Sequence, residues 1–250
     1  FAAVSGYTLS SDLTIGNLEC NFCGAPYAGK PDYRAPESLA KTLSSIGFDV
    51  LQTANTYSIQ NGLSGLQSTI RYLDAAGLSH VGTYAAQDDK TSLGGVLLKN
   101  VNGVKIAFIA YTKGLNYLTL PEGEEYAVDV LYTDYASDFN KINTDAIVES
   151  VNAAKALQPD VIVAMLHWGS EYNDDISDTQ KSIVNLMKKQ GVDVILGTHP
   201  HTVQAIEYDE LAGTLVAYSL GDFFGDASRG GTNYSIILDL EITKDSSTGT

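Results

Sequence analysis

Histidine is scarce in this chain, four residues in 250, and two of the four stand one residue apart in ILGTHPHTVQ, as His199 and His201. A third, His167, lies in MLHWGSEY. Imidazole nitrogen is the commonest side-chain metal ligand at neutral pH. Oxygen donors for the same chemistry come from Asn17 and Glu19 in IGNLE and from Asn55 in QTANTY. A mixed nitrogen and oxygen set suits Zn2+, Mn2+ or Fe, as one or two ions, better than Ca2+ or a thiolate site. Each residue also has an ordinary role open to it: His167 as a hydrogen-bonded strand end, and the GTHPH turn as a proline-fixed loop with two solvated imidazoles. However, proline biases the residue before it toward extended backbone. Side chains two apart on extended chain point the same way, so His199 and His201 are expected to face one side and reach adjacent ions.

The elements that must position these residues alternate along the chain. Short apolar runs of β type, DLTIG (12–16) and FDVLQT (48–53), flank APESLAKTLSSIG, whose Pro36 and Glu37 mark a helix start and Gly47 its stop. SGLQSTIRYLDAAG is helical by its apolar spacing and closes at Gly77; LSHVGTY and VKIAFIAYT (104–112) read as strands. A polar, Tyr-rich stretch from about 113 to 138 reads as an irregular insertion. A helix over about 140–157 precedes the strand DVIVAML, and SDTQKSIVNLMKKQG carries a capping box at Ser177 and Gln180 with Gly191 as its stop. After the strand VDVILG come TVQAIEY, TLVAYSL and YSIILDLEI, with no helix between them, expected as sequential antiparallel strands.

On this framework Asn17, Glu19, Asn55, His167, His199 and His201 all fall just past the ends of strands. In α/β sheets, ligands bind at the carboxyl ends of the strands, where the loops converge. The convergence of six candidates on such ends favours the metal reading over six separate structural roles.

Composition narrows the partners. With 15 basic and 30 acidic residues the formal net charge is −15, which disfavours nucleic acid or an anionic membrane as a non-specific partner. An anionic substrate would then need local cations, and bound metal is one source. No apolar run reaches the length of a membrane span, and no signal-peptide pattern opens the chain. The first residue is not Met and the last are KDSSTGT, so the expectation is a soluble segment of a larger protein, with any anchor lying outside it. Cys20 and Cys23 form a lone CxxC, expected as a local disulfide or a pair of free thiols rather than a zinc or redox centre. SLGDFFGDASRGG is glycine-rich but has neither GxGxxG nor a Gly-Lys-Ser/Thr ending, which argues against a nucleotide site.

The blocks DLTIGNLE, FDVLQTANTYS, MLHWGSEY, GVDVILGTHPHTVQAIE and VAYSLGDFF, in this order, resemble those of the CapA-type family, a resemblance that runs from about residue 12 to 242. These are the poly-γ-glutamate capsule biosynthesis proteins, whose fold is similar to that of calcineurin-like metallophosphatases. The resemblance implies an α/β four-layer αββα sandwich over one domain, residues 1–250, in a bacterial cell-surface setting with an anchor outside this chain. It implies Asn17, Glu19, His167, His199 and His201 as metal-side residues, with His167 and His199 also at the reacting centre. In the metallophosphatase scheme, two ions clamp a phosphate and activate water while a histidine protonates the leaving group.

Two departures from that family pattern bear on chemistry. Its ANNH is ANTY here, so Asn55 matches the first asparagine while Thr56 and Tyr57 replace the bridging asparagine and the acid histidine. Tyr57 thus takes the catalytic acid's place with a phenol of ordinary pKa about 10, better suited to donating a hydrogen bond. The family's first strand, ending in Gly-Asp, has no counterpart here. The functional expectation is a metal-dependent hydrolase or transferase acting on a phosphoester, or on an amide of a γ-glutamyl or cell-wall polymer. Trp168, Glu171 and Tyr172 would line its groove, and Arg34 in DYRAPE, at a helix start, would hold an anionic group. The alternative is a non-catalytic surface component that binds an anionic polymer or scaffolds membrane proteins of the capsule machinery. Asp222 is expected either behind a histidine or as a turn cap.

Overall fold

The computed structural model describes residues 1–225 and 228–245. Two sheets form. The first is parallel, in the order β1 (Ile15–Asn17), β2 (Val50–Gln52), β3 (Ser79–Val81). The second has six strands: β4 (Leu97–Val101), β5 (Val104–Thr112), β6 (Val161–His167), β7 (Val194–Thr198), β8 (Ile206–Asp209) and β9 (Thr214–Ala217). Their order is β4-β5-β6-β7-β9-β8, with β5-β6-β7-β9 parallel and both edge strands antiparallel.

Period-two alternation assigns the two faces of β5. Ile106, Phe108 and Ala110 enter the core that also holds Val50 and Val81 of the first sheet, so the sheets stack face to face. Ala107, Ile109 and Tyr111 join the opposite core with Ile147, Val151 and Ala154 of α1 (Thr144–Ala156) and Ile183, Val184 and Met187 of α2 (Asp178–Lys189). The outer face of the first sheet, through Leu51, packs on Ala40 and Leu43 of a helix at Ser38–Ser45 and on Leu73 of another at Gly62–Ala75. The layers are therefore helix, sheet, sheet, helix, the αββα sandwich.

The local signals act as read. Ser177 Oγ accepts from the Gln180 backbone N–H at 3.2 Å, and Gln180 Oε1 accepts from the Ser177 N–H at 3.0 Å, closing the capping box of α2. Gly47 ends its helix at φ 95°, where a side chain would collide with the Thr8 carbonyl. The 113–138 stretch has no strand; it carries a 3-10 turn at Glu125–Ala127. Its segment near 128–130 bridges Thr83 on one sheet's exit and Thr112 on the other's. There the buried Asp129 carboxylate meets Lys90 Nζ at 2.7 Å and accepts from the Tyr84 hydroxyl at 2.6 Å. The insertion thus closes one side of the sandwich.

Two expectations about strands are corrected. β4, joined to the expected strand β5 by a turn at Asn102 and Gly103 with positive φ, adds an edge strand to those expected from sequence. YSIILDLEI is not a strand: its only backbone bond among the described residues runs from the Ile236 N–H to the Leu220 carbonyl. Without a neighbouring strand to share its ladder, an alternating pattern alone does not make a sheet. Among the described residues no helix is long and apolar enough to cross a membrane.

Candidate metal centre

The site forms where the carboxyl ends of both sheets meet. Asn17 ends β1, His167 ends β6, and His199 follows Thr198, the last residue of β7. The parallel register pairs His167 with Thr198, which sets the Thr198 hydroxyl 3.0 Å from His167 Nδ1. That contact turns Nε2 into the centre. Around Nε2 stand His199 Nδ1 at 3.1 Å, the Thr56 hydroxyl at 2.9 Å and Glu19 Oε1 at 3.4 Å. One ligand atom from each of Glu19, His167 and His199 lies within 4.8 Å of the others.

This donor set fits a cation. Two ring nitrogens that face each other at hydrogen-bond distance repel through their lone pairs unless a proton or a metal lies between them. Glu19 Oε1 is buried and makes no well-aligned hydrogen bond. Burial raises the Glu19 carboxyl, but the adjacent His167 and, further off, His201 outweigh it and hold the group below the usual carboxylate range. Burial, reinforced by His167 and Lys113, pushes His199 well below the ordinary imidazole value, so it stands neutral with a lone pair to give.

His201 occupies a neighbouring position. Its ring lies 6.4 Å from that of His199, and its Nδ1 is 2.8 Å from Asp222 Oδ1. Burial lowers its pKa, while Asp222 and Glu19 raise it further than that, for a net rise. A carboxylate on one ring nitrogen fixes the orientation of the other, the usual arrangement behind a ligating histidine. The extended GTHPH backbone expected from sequence is corrected: His199 has φ 96° and His201 φ 61°. Left-handed backbone at a non-glycine residue costs on the order of 1–3 kcal/mol and concentrates at functional sites. The twist on either side of Pro200 sends the two imidazoles to different neighbours instead of along one face.

The other expected residues divide. Asn17 touches the centre, its amide lying 3.4 Å from Glu19 Oε2. Asn55 is corrected as a ligand: its Nδ2 donates to the Leu18 carbonyl at 2.6 Å and its Oδ1 accepts from the Tyr57 N–H at 3.0 Å. Both ends of the amide thus brace the turn that presents Thr56. Tyr57 is corrected as an acid. It is buried and stacks on Tyr33 at 3.7 Å between centroids, and burial, with Tyr33 beside it, drives its phenol far above the ordinary value. Trp168 is corrected as a groove residue: it is fully buried, stacked on Tyr218, with Nε1 donating to the Tyr218 carbonyl. Arg34 is half-buried and spends Nε and Nη2 on Asn61 Oδ1, at 3.1 and 2.9 Å. Glu171 is exposed, and Tyr172 stacks on His201 at 5.3 Å. Cys20 and Cys23 are free thiols, and burial pushes Cys20 up to about 12.

Sequence reasoning missed Thr198, Gln52 and Lys113. Gln52, fully buried at the end of β2, donates to the Ala54 carbonyl and reaches the Tyr111 and Met165 carbonyls, tying the first sheet to the second behind the site. A glutamine at the end of an apolar run is its only sequence signal. The threonine before HPH was in view, but only the strand register gives it a partner.

The fold is thus a four-layer αββα sandwich of the metallophosphatase-like type, with histidines and a carboxylate at its strand ends. Accordingly, the structure is similar to that of a phosphatase from Mycoplasma pneumoniae, with a TM-score of 0.50 at 16% identity over 88% of this chain and 63% of that one. The sequence is 27% identical to the capsule biosynthesis protein CapA of Bacillus anthracis, over 97% of this chain and 57% of the relative. It is 28% identical to the PGA biosynthesis protein CapA of Bacillus subtilis, over 94% of this chain and 59% of the relative. The chain spans less than three-fifths of the length of these curated relatives. Residues 1–227 match the family model described as bacterial capsule synthesis protein PGA_cap, and the chain belongs to that family.

Proposed function

We propose that this chain is the metal-binding, hydrolase-type part of a capsule biosynthesis protein at the bacterial cell surface. It would act on a phosphoester or on an amide bond of an anionic polymer, beside the membrane proteins of the capsule machinery. Glu19, His167 and His199 would hold a divalent ion, Mn2+, Zn2+ or Fe, and His201 would serve a second ion where two bind. The observation that carries this reading is the convergence of three ligand atoms within 4.8 Å. Such an ion supplies Lewis acidity and a nucleophile from water at neutral pH. The chain's own groups prepare the centre: Thr198 orients His167, Asp222 orients His201, and the Thr56 hydroxyl stands 2.9 Å from His167 Nε2.

The test is metal content after Mn2+ or Zn2+ supplementation, with Glu19→Ala and His199→Ala as controls. Wild type is expected to hold metal, and each variant to lose affinity by more than the roughly 10–100-fold typical of changes behind the ligands. Wild-type protein without metal overturns the reading. The burial of Tyr57 at the expected acid position favours a second reading, a non-catalytic component that binds an anionic polymer. Hydrolysis of an aryl phosphate that disappears in both variants excludes it.

A further inference from the structure

Beside His201 a three-tier stack of side chains ends in a cation. Tyr172 lies on His201 with ring centroids 5.3 Å apart and planes 17° from parallel, and the Arg229 guanidinium carbon lies 4.1 Å from the Tyr172 centroid. The chain builds this stack from three segments. The Tyr172 N–H donates to the Pro200 carbonyl at 2.8 Å, and Tyr172 has φ 60°. On the far side, the Arg229 carbonyl accepts from the buried Thr232 hydroxyl at 2.8 Å, and Gly231 approaches the Thr202 side chain so closely that a Cβ there would lie 3.1 Å from its methyl. The turn carrying Arg229 is therefore docked against the residue that follows His201.

Arg229 is exposed, and among the described residues it makes no ion pair, in a chain with twice as many acidic as basic residues. A guanidinium over an aromatic ring is attracted to it through its charge, while its N–H donors lie in its own plane and remain available to a further partner. Those donors form a fork that matches a carboxylate or phosphate group, which takes two parallel N–H donors. Arg34, by contrast, has spent its fork on Asn61.

We infer that Arg229, held by Tyr172 against His201, is a specificity-determining residue that grips a non-reacting oxyanion of the substrate, a carboxylate or a phosphate. As a substrate contact it rests on the proposed reading of the metal centre; as an anion site it stands on the stack alone. The experiment is calorimetric titration of orthophosphate and of glutarate, separately, into wild type, Arg229→Ala, Arg229→Lys, Tyr172→Phe and Tyr172→Ala, each metal-loaded and metal-free, with metal content measured throughout. Arg229→Ala, a change at an exposed position, is expected to weaken at least one anion about 10- to 100-fold, the scale of hydrogen bonds to a charged group, at unchanged metal content. Arg229→Lys is expected to recover part of the loss, since charge returns without the fork. Tyr172→Phe, which keeps the ring, is expected to bind as wild type and Tyr172→Ala to bind weakly. A loss confined to orthophosphate assigns a phosphate, and one confined to glutarate a carboxylate. Equal binding of both anions by wild type and Arg229→Ala, or no binding of either by wild type, overturns the inference. Loss of metal binding by wild type overturns the metal reading instead, and leaves the metal-free comparison to judge Arg229.

Discussion

At the scale of single residues, the side chains that set the centre are those with one atom committed elsewhere and one left over. His167 gives Nδ1 to Thr198 and keeps Nε2 for the centre, and His201 gives Nδ1 to Asp222. Trp168, adjacent to His167, has no atom left over, because its indole N–H and both faces are enclosed. Trp168→Ala is therefore expected to lower stability by about 3–5 kcal/mol, the cost of emptying a core aromatic site, while metal bound per folded molecule stays at the wild-type level. Chemical denaturation combined with metal analysis checks both halves, and a loss of metal without a loss of stability contradicts the assignment. In ANTY the residue type was legible but the direction was not. Thr56, not Tyr57, reaches the histidines, because the Asn55 amide bonds fix the turn.

Among the elements, α2 shows how much a local signal determines. Its reciprocal cap at Ser177 and Gln180 is written in four residues and forms as read. Ser177→Ala is expected to cost about 0.5–2 kcal/mol, measured as a shift in the denaturation midpoint with unchanged slope. Strand β7 shows the opposite case. Gly197 looks like an ordinary strand-end glycine in VDVILGTH, yet a Cβ there would overlap the Tyr218 carbonyl and the Trp168 indole nitrogen. Gly197→Ala is expected to force β7 off β9 two residues before His199, and so to reduce both stability, by about 1–3 kcal/mol or more, and metal content. Full metal binding by this variant at wild-type stability would show that the strand end tolerates displacement.

Over the whole molecule, the centre draws its residues from both of the stacked sheets. Glu19 comes from the loop after the first sheet's β1, while His167 and His199 come from the second sheet. An ion shared among them binds only when both sheets are in place, so it stabilises the folded state by mass action. At a metal concentration about 100 times the dissociation constant the gain is about 2.7 kcal/mol, which for a chain of this size raises the melting temperature by about 5–10 °C. Thermal unfolding with and without a chelator measures it. An unchanged melting temperature, with metal shown to be bound, would mean that the ion binds the unfolded chain as well as the folded one.

The amino-acid order by itself determined the alternation of strands and helices, because periodicity, caps and glycine stops are local. It also determined which residue types stand at strand ends, Glu19, His167 and His199 among the six candidates there. What it left open depends on contacts far apart in the chain. Register paired Thr198 with His167, and the enclosing core took Trp168 from the groove and Tyr57 from the acid's place. The absence of a ladder partner left YSIILDLEI without a strand, and the left-handed turns around Pro200 separated His199 from His201. Only the folded chain lays Arg229 over Tyr172, since 57 residues of sequence separate them and no local pattern records that stacking.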